Sequence, residues 1–447
     1  MNNFEISEIR ITNLFGVIPK HIIPMKEGGV TFIHGPNGCG KTTCLRLISA
    51  VFNWEISTFM EINFSTIEVE KSDGQVLKIV KSIRTKEKEK EKRKIPEVTF
   101  SLDGNRPFTL SRDRDMADQR MSLSDIEFVI PEVTRIGDRM WRDKVQGNLM
   151  DVHEVFEKYS EIMPFGTSRK RPDWLEKFTN SVNLHFIKTQ RLLKVDLSST
   201  KRHRQEETSI SEVIQLYSNE IRESINKKLA EQAAMSQGHD RSFPQRLLSL
   251  DIDATVSEAE IRKLYADTEQ KIQKLVDAGL IDNQDSIALP HKAFEDTERR
   301  VLSLYLMDVK KKLAVFDDLQ RKIETFLDVI NAKFKSKIFS VNRESGFSIY
   351  TSANKKEVLS PTQLSSGEQH QIVLFYELIF KSSENSFFLI DEPEISLHVD
   401  WQRMFLDDIH KIAQLGDRQF LIATHSPQII GNYRRLAVAL NEGILNE

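Results

Sequence analysis

Hydrophobic positions near the N-terminus alternate with polar ones, a pattern that is typical of strands. Ile9 and Ile11 have polar neighbours, and Val30-Thr31-Phe32-Ile33 is a short apolar run that ends at a glycine-rich segment. Two further alternating runs over residues 62–84 are separated by Ser72-Asp73-Gly74, a sequence that favours a tight turn. The first part of the chain is therefore predicted to contain several strands and a hairpin.

The pattern changes twice in the middle of the chain. Residues 85–180 mix charge runs and scattered prolines with few periodic stretches, which predicts an irregular lobe inserted after the hairpin. An alternating run over residues 182–187 then predicts another strand. Between about 209 and 336 the apolar spacing becomes three and four residues, which predicts a helical arm.

Three helices are predicted within this arm. The first has an apolar face made of Ile214, Tyr217, Ile221, Ile225 and Leu229. The second begins at Ser257 with Glu260 three positions later, a capping box, and ends near Gly279. The third is predicted as a single long helix with a coiled-coil-like seam, interrupted only at Gln320. Its seam consists of Leu302, Leu306, Val309, Leu313, Phe316, Ile323, Leu327, Ile330 and Phe334.

A second hairpin is predicted over residues 338–350, with Gly346 in its turn. Strands and helices then alternate to the end of the chain, which favours an α/β fold with helices flanking a mixed sheet. The predicted organisation is a split head that is interrupted by the irregular lobe and by the helical arm. The head comprises residues 1–84, 181–208 and 337–447, the lobe residues 85–180, and the arm residues 209–336.

Composition indicates a soluble globular protein. Of the 447 residues, 39% are hydrophobic and 29% are charged, and no stretch approaches the length of a membrane span. The N-terminus lacks a signal-peptide pattern, and the two cysteines, Cys39 and Cys44, lie in a glycine-rich segment where a disulfide is not expected. We therefore expect a cytoplasmic protein without a membrane partner.

The net charge of −3 gives no global signal for nucleic-acid binding, so any such surface must be a local patch. The mixed charge run at 86–94 is predicted to be a solvated loop or hairpin extension. The remaining candidates for phosphate contact are Arg169, Lys170, Arg171, Lys201, Arg202, His203 and Arg204.

A glycine-rich segment between a predicted strand and a predicted helix fits G-x-x-x-x-G-K-[ST]. Its glycines allow backbone N–H groups to turn inward around a triphosphate at the N-terminus of the helix. Lys41 can neutralise the outer phosphates, and the Thr42 hydroxyl can bind Mg²⁺. The predicted nucleotide-binding residues of this segment are Gly35, Pro36, Asn37, Gly38, Cys39, Gly40, Lys41, Thr42 and Thr43.

Two adjacent acids follow an apolar run, FFLI, that has the form of a buried parallel strand. Asp391, at the end of the strand, is predicted to hold Mg²⁺. Glu392 is predicted to orient or deprotonate the water that attacks the γ-phosphate.

Another anion site is predicted at Ser366 and Gly367, which precede an apolar helical pattern. Two anion sites and one triphosphate imply that the second site faces the nucleotide of a partner subunit. The chemistry therefore predicts a homodimer with ATP sandwiched between two heads, which can assemble further into a higher homo-oligomer.

Two further polar residues follow predicted strands. His425 lies in Thr424-His425-Ser426-Pro427, after the strand Phe420-Leu421-Ile422-Ala423, and can hydrogen-bond a γ-phosphate oxygen or the attacking water. Gln190 follows the strand at 182–187 and can complete the Mg²⁺ shell. The catalytic prediction is thus Glu392 and His425, and the metal-site prediction is Thr42, Gln190 and Asp391.

This ordered set resembles the ABC-type ATPase heads of the chromosome-maintenance, double-strand-break-repair and overcoming-lysogenisation groups. The matching segments are GPNGCGKTT (35–43) as Walker A, KTQRLL around Gln190 as the Q-loop, LSSGEQ (364–369) as the signature, FFLIDEPE (387–394) as Walker B, residues 396–398 as the D-loop and THSPQII (424–430) around the switch histidine. The resemblance implies an ABC-type head that hydrolyses ATP with Mg²⁺ and dimerises head to head.

The chain also departs from these groups. Its arm is too short to resemble the long coiled coils of chromosome-tethering proteins, and the 22 residues after His425 leave no room for a C-terminal nuclease domain. Overall it is similar to the ATPase subunit of Septu anti-phage systems, whose partner is an HNH nuclease. The ATPase of the PARIS defence system is the next most similar in kind. This resemblance implies an ATPase that controls a separately encoded nuclease effector.

Two other functions fit the same motifs. A DNA-repair or recombination ATPase would clamp DNA across its paired heads and bind phosphates through local basic groups. A structural scaffold would bind ATP stably without hydrolysing it, although Glu392 and His425 favour turnover. No nuclease motif is found in the chain itself.

Overall fold

The computed structural model describes residues 6–88, 91–111, 133–137, 140–143, 149–151, 171–188, 210–249, 256–282, 289–353, 357–382 and 385–440. The chain divides into two compact units. The first unit comprises Met1–Lys188, Ser383–Glu394 and Gly416–Glu447. The second unit comprises Thr189–Ser382 and Ile395–Leu415.

Strands occur in both units. In chain order they are β1 (Ile6–Leu14), β2 (Ile18–Pro24), β3 (Val30–His34), β4 (Thr66–Lys71), β5 (Val76–Lys88), β6 (Glu91–Leu102), β7 (Phe108–Ser111), β8 (Val133–Arg135), β9 (Met140–Asp143), β10 (Leu149–Asp151), β11 (Asn183–Lys188), β12 (Lys337–Asn342), β13 (Gly346–Thr351), β14 (Ser386–Asp391), β15 (Gln419–Ala423) and β16 (Ala437–Ala439).

The α-helices are, in chain order, α1 (Lys41–Asn53), α2 (Ile56–Glu61), α3 (Asp173–Asn180), α4 (Ile210–Leu248), α5 (Glu258–Asp277), α6 (Asp296–Ala314), α7 (Asp317–Asn331), α8 (Ser366–Phe380), α9 (Val399–Ala413) and α10 (Pro427–Ile430). In the part of the chain that the structure describes, no helix is long and apolar enough to cross a membrane. Strands and helices together confirm the predicted α/β class.

A five-stranded parallel sheet forms the centre of the first unit, in the order β11-β14-β15-β3-β16. Strands β14, β15 and β3 are apolar runs whose residues are almost all buried, as expected for strands covered on both faces. Helix α1 buries Cys44, Leu45 and Ile48 in the core cluster that includes residues of this sheet. The carboxyl ends of the three central strands therefore lie side by side at one edge.

The first unit also contains a six-stranded antiparallel sheet, in the order β2-β1-β4-β5-β6-β7. The predicted hairpin with Ser72-Asp73-Gly74 is confirmed as β4 and β5, with Gly74 at a φ of 87°. The charged run at 86–94 lies largely within β5 and β6, whose pairing extends to Lys88 and Glu91. It is thus a hairpin extension, one of the two predicted alternatives.

Two predicted domain boundaries are corrected. The irregular lobe does not begin at 85, because β5 continues through this position and β6 and β7 extend the same antiparallel sheet. The C-terminal segment 337–447 is not one lobe, because α8 and α9 belong to the second unit together with the arm helices. Much of the remaining lobe, residues 112–132 and 152–170, lies outside the described residues.

The first two helices of the arm in the second unit, α4 and α5, agree closely with the sequence prediction. Helix α4 buries four of the five predicted face residues, Ile214, Tyr217, Ile221 and Ile225. Helix α5 has the predicted capping box between Ser257 and Glu260 and is followed by Gly279 at a φ of 72°. The hairpin around Gly346 is also confirmed, as β12 and β13.

The third arm helix was expected to be continuous, but it is broken between α6 and α7. Phe316 is fully buried at the break, and its N–H donates to the carbonyl of Leu313 at 3.1 Å, which tightens the turn. Gln320, the polar residue in the predicted seam, is buried and donates to Glu324 Oε1 at 2.7 Å. Apolar spacing alone does not reveal this break, because the seam continues through it.

A buried ion pair within the second unit joins Asp408 of α9 to Lys333, which lies two residues after the end of α7. Lys333 and Asp408 have side-chain exposures of 0% and 2%, and the ammonium also donates to the carbonyl of Val329 at 3.3 Å. The Lys333 Nζ lies 4.8 Å from the ring centroid of Phe375 on α8. Burial lowers the pKa of Lys333 and raises the pKa of Asp408, so the two charges persist only as a pair.

We predict that Lys333→Met lowers the free energy of unfolding by about 3–5 kcal/mol, because it leaves the Asp408 carboxylate buried without its cation. The double variant Lys333→Met/Asp408→Leu removes both charges and is expected to recover most of this loss. Urea unfolding of wild type, the single variant and the double variant tests both statements. A single variant as stable as wild type would contradict the first.

Candidate nucleotide-binding site

The predicted chemical residues of the first unit meet at the carboxyl edge of the parallel sheet. The glycine loop at 35–40 follows β3, Asp391 ends β14, and His425 lies two residues after the end of β15. Strand β15 pairs with both neighbours, so these three strand ends are adjacent. In open α/β sheets this edge is the usual place for a ligand.

The glycine loop depends on two residues in the left-handed region. Gly38 and Gly40 have φ values of 87° and 86°, which residues with a side chain rarely adopt. A Cβ at Gly40 would lie 2.6 Å from Leu14 Cδ2, so this position also lacks space. The loop can therefore present backbone N–H groups at the N-terminus of α1, where the helix dipole favours an anion.

Lys41 is directed back into the loop rather than into solvent. Its side chain is 5% exposed, and Nζ donates to the carbonyls of Gly35 and Pro36 at 2.9 and 3.1 Å. The same Nζ lies 3.4 Å from His425 Nδ1. Lys41 thus bridges the glycine loop and the turn after β15.

Thr42 and Asp391 form the predicted metal-binding pair. The Thr42 hydroxyl donates to Asp391 Oδ1 at 3.0 Å. Burial raises the pKa of Asp391, the Thr42 hydrogen bond opposes this, and the nearby carboxylates of Glu392 and Glu394 raise it further. A hydroxyl and a carboxylate oxygen at this distance fit Mg²⁺, which is bound through oxygen and needs few protein ligands beside a nucleotide.

Glu392 directly follows β14, and its backbone turns away from the direction of that strand. Its φ is 47°, an uncommon value for a residue with a side chain, and its N–H donates to the carbonyl of Ala423 at 2.8 Å. Its Oε1 lies 3.5 Å from His425 Nε2. Since the Lys41 ammonium can only donate, His425 Nδ1 is the acceptor and Nε2 carries the proton that faces Glu392.

Glu394 is a residue of the site that the sequence analysis did not identify as functional. Its carboxylate accepts from the Thr424 hydroxyl at 2.9 Å and from the backbone N–H of His425 at 2.5 Å. The only local signal was its place in the DEPE segment. Its hydrogen-bond partners lie about thirty positions away, so the contact leaves no periodic pattern in the sequence.

His21 on β2 is the second residue that was not identified. It is 2% exposed, and its Nε2 lies 2.9 Å from the carbonyl of Cys39 in the glycine loop. Burial lowers the pKa of His21, which favours the neutral ring, and the carbonyl acceptor requires the proton on Nε2. Because the C=O and N–H of a planar trans peptide point in opposite directions, the contact of the Cys39 carbonyl with His21 directs the N–H of Gly40 away from His21.

The predicted signature residues lie at a helix N-terminus in the second unit. Helix α8 begins at Ser366, and its N-cap is Ser365, which forms a capping box with Glu368. Lys337 holds Glu368 with two bonds of 2.8 and 2.7 Å, while Ser366 itself is exposed. This confirms the predicted helix start at Ser366 and Gly367.

Not every predicted site residue can be placed. Gln190 lies outside the described residues, as do Arg169, Lys170 and 201–204. Pro36, Asn37 and Gly38 form the exposed tip of the loop, whereas Cys39 is buried and Thr43 is half-buried. The residues brought together in the first unit are thus Lys41, Thr42, Asp391, Glu392 and His425.

Comparison with known proteins identifies a family. The family model for the AAA ATPase domain matches residues 5–430. Over 69 residues the chain is 41% identical to UvrABC system protein A of Oceanobacillus iheyensis, a match that covers 15% of this chain and 7% of that protein.

Two solved structures align over most of their length at low similarity. The Smc head domain with an extended coiled coil, bound to the C-terminal domain of ScpA from Pyrococcus furiosus, aligns at 14% identity and a TM-score of 0.37, covering 98% of this chain and 94% of that one. The SmcHead bound to the C-winged helix domain of ScpA aligns at 11% identity and a TM-score of 0.35, and the alignment covers 98% of this chain and 95% of that one.

We predict that His21→Leu weakens Mg²⁺-nucleotide binding by about 5–10-fold, the effect of removing one buried donor and leaving a carbonyl unsatisfied. His21→Gln keeps an N–H donor and is expected to retain more of the affinity. Calorimetric titration with ATP measures both. The control is His185→Leu, which changes a half-buried histidine of β11 that stacks on Phe388 at 5.2 Å. Wild-type affinity in His21→Leu would show that the contact does not support binding.

Proposed function

The chain belongs to the AAA ATPase domain family, and on this premise we propose that it hydrolyses ATP at the carboxyl edge of its parallel sheet. The observation that carries the proposal is the convergence of Lys41, Thr42, Asp391, Glu392 and His425 on this edge. These side chains supply a cation, a metal-binding pair, a carboxylate base and a hydrogen-bond donor. They are the parts that phosphoryl transfer requires.

Each residue has a separate role in this proposal. The N–H groups of the glycine loop and Lys41 bind the β- and γ-phosphates, and Thr42 and Asp391 hold the metal ion. When bound, Mg²⁺ neutralises charge on the phosphate oxygens. Glu392 orients the attacking water and accepts its proton, and the Nε2–H of His425 donates a hydrogen bond to a γ-phosphate oxygen or to that water.

A second copy of the chain completes the site in this proposal. Ser366 is exposed at the N-terminus of α8, where backbone N–H groups and the helix dipole favour a phosphate. In this proposal the glycine loop binds the triphosphate of its own chain, so the Ser366–Gly367 site is available to the nucleotide of a partner subunit. ATP binding then favours a head-to-head homodimer, which higher homo-oligomers can incorporate.

We further propose a role in anti-phage defence, as a cytoplasmic ATPase that controls a separately encoded HNH nuclease. This step is supported by the overall architecture and by the resemblance of the IKTQRLL and THSPQII segments to the ATPase subunit of Septu systems. ATP turnover is then a control signal, and the partner carries out cleavage.

We predict that Glu392→Gln lowers kcat by about 10²–10⁴-fold, the usual contribution of a general base, while ATP binding is retained. Because bound ATP is no longer consumed, this variant is expected to accumulate as a dimer on light scattering. Adding Ser366→Glu to it, which places a negative charge against the phosphate of the partner's nucleotide, should return the protein to the monomer. Unchanged turnover would contradict the assigned base, and an ATP-independent mass would contradict the sandwich.

We predict that the protein co-purifies with an HNH nuclease encoded beside its gene and that the pair protects cells from phage. Glu392→Gln in the same pair should change protection, since the ATP state controls the effector. Duplex binding that is tight only with ATP and occurs without a nuclease partner would instead favour the DNA clamp. A protein that stays alone and gives no protection would contradict the defence role.

A further inference from the structure

Glu394 lies three residues after Asp391, in a 3₁₀ turn that spans Pro393–Ser396. Its two carboxylate oxygens bind two different donors of the turn after β15. Oε2 accepts from the Thr424 hydroxyl at 2.9 Å, and Oε1 accepts from the His425 N–H at 2.5 Å. A single side chain that follows β14 therefore holds two consecutive residues that follow β15.

The Thr424 hydroxyl has a fixed direction in this arrangement. A hydroxyl has one proton, and Thr424 gives it to Glu394, so its oxygen accepts the Ser426 N–H at 2.9 Å. The side chain of Thr424 is fully buried, and its own N–H donates to the carbonyl of Ile33 on β3 at 3.1 Å. The turn that carries His425 is thus anchored to β3 by its backbone and to the β14 side by Glu394.

The anchored residue carries the imidazole of the site. His425 Nε2 lies 3.5 Å from Glu392 Oε1, and its Nδ1 lies 3.4 Å from Lys41 Nζ. Both distances are at the outer limit of a polar contact, so the side-chain partners alone hold the ring weakly. The charge-assisted bond from the backbone N–H of His425 to Glu394 is shorter and stronger, and it fixes the direction in which the side chain leaves the backbone.

We propose that Glu394 is a positioning residue for hydrolysis: it keeps the imidazole of His425 in register with the Glu392 carboxylate. The proposal rests on the proposed ATPase function of this edge. Glu394 does not contact the nucleotide in this role and acts only through His425. Its loss therefore affects the chemical step, where small displacements have large effects, more than it affects the binding of ATP.

Glu394→Gln is the direct test because it keeps the size of the side chain. A carboxamide has one acceptor oxygen and an NH₂ group, so it cannot accept from both donors as the carboxylate does. We expect kcat to fall by about 10–100-fold, comparable to a displacement of about 1 Å at a reacting group, with the KM for ATP changed by less than about 3-fold. Thr424→Val removes only one of the two donors and should give a smaller loss in kcat.

A double-mutant cycle separates positioning from general structural damage. In a His425→Ala background there is no imidazole to position, so Glu394→Gln should lower kcat no further. An equal loss in both backgrounds would overturn the inference, since Glu394 would then act on Asp391 or on the fold. If Glu394→Gln does not fold, the same cycle is run with Thr424→Val. No further loss of kcat in the His425→Ala background would support the inference, and an equal loss in both backgrounds would overturn it.

The assay distinguishes this inference from the proposed function. Wild type and Glu392→Gln are measured beside each variant with ATP and Mg²⁺. Absence of turnover in wild type would overturn the ATPase proposal itself. Turnover in wild type that Glu392→Gln abolishes, together with wild-type kcat in Glu394→Gln, would overturn only the positioning role.

Discussion

The candidate site depends on the parallel pairing of three buried strands whose carboxyl ends meet. In β14, β15 and β3 every residue but the last of β14 and β3 is buried, so the strands are held on both faces. Asp391 is in register with Ala423, and Ala423 with Ile33. A slip of one residue would turn each side chain to the opposite face and separate the acids from the glycine loop. Core packing thus sets the positions of the polar groups.

The parts of this arrangement that leave a local pattern in the sequence could be predicted. Apolar runs that end in Gly35, in Asp391 and in Thr424 marked the three strands and their edge. Two further contacts, of Glu394 with Thr424 and of His21 with Cys39, join segments that are distant in sequence and follow no spacing rule. The break near Phe316 was missed for a related reason, because a buried aromatic residue continues the apolar spacing while the backbone turns.

The signature helix belongs with the arm in the second unit. On α8, Glu377 accepts the Tyr217 hydroxyl at 2.8 Å, and Tyr376 donates to Glu220 at 2.8 Å. The two tyrosine rings stack at 4.0 Å, and burial raises the pKa of Glu377. Each helix thus donates one tyrosine hydroxyl bond to a glutamate of the other, and the two bonds hold α8 against α4. A displacement of α4 would therefore also displace the helix that begins at Ser366.

Lys41 links nucleotide binding to the imidazole of the site through a competition for protons. An ammonium has three protons, and Nζ is within reach of Gly35 O, Pro36 O, Cys39 Sγ and His425 Nδ1. The two bonds to the carbonyl oxygens are shorter than the contact with His425 Nδ1. Of these three acceptors, the imidazole nitrogen is therefore bound most weakly. A phosphate oxygen carries more negative charge than any of these acceptors and forms a charge-assisted bond. We therefore expect phosphate to displace His425 from Lys41, which leaves the backbone bond to Glu394 as the main restraint on the ring.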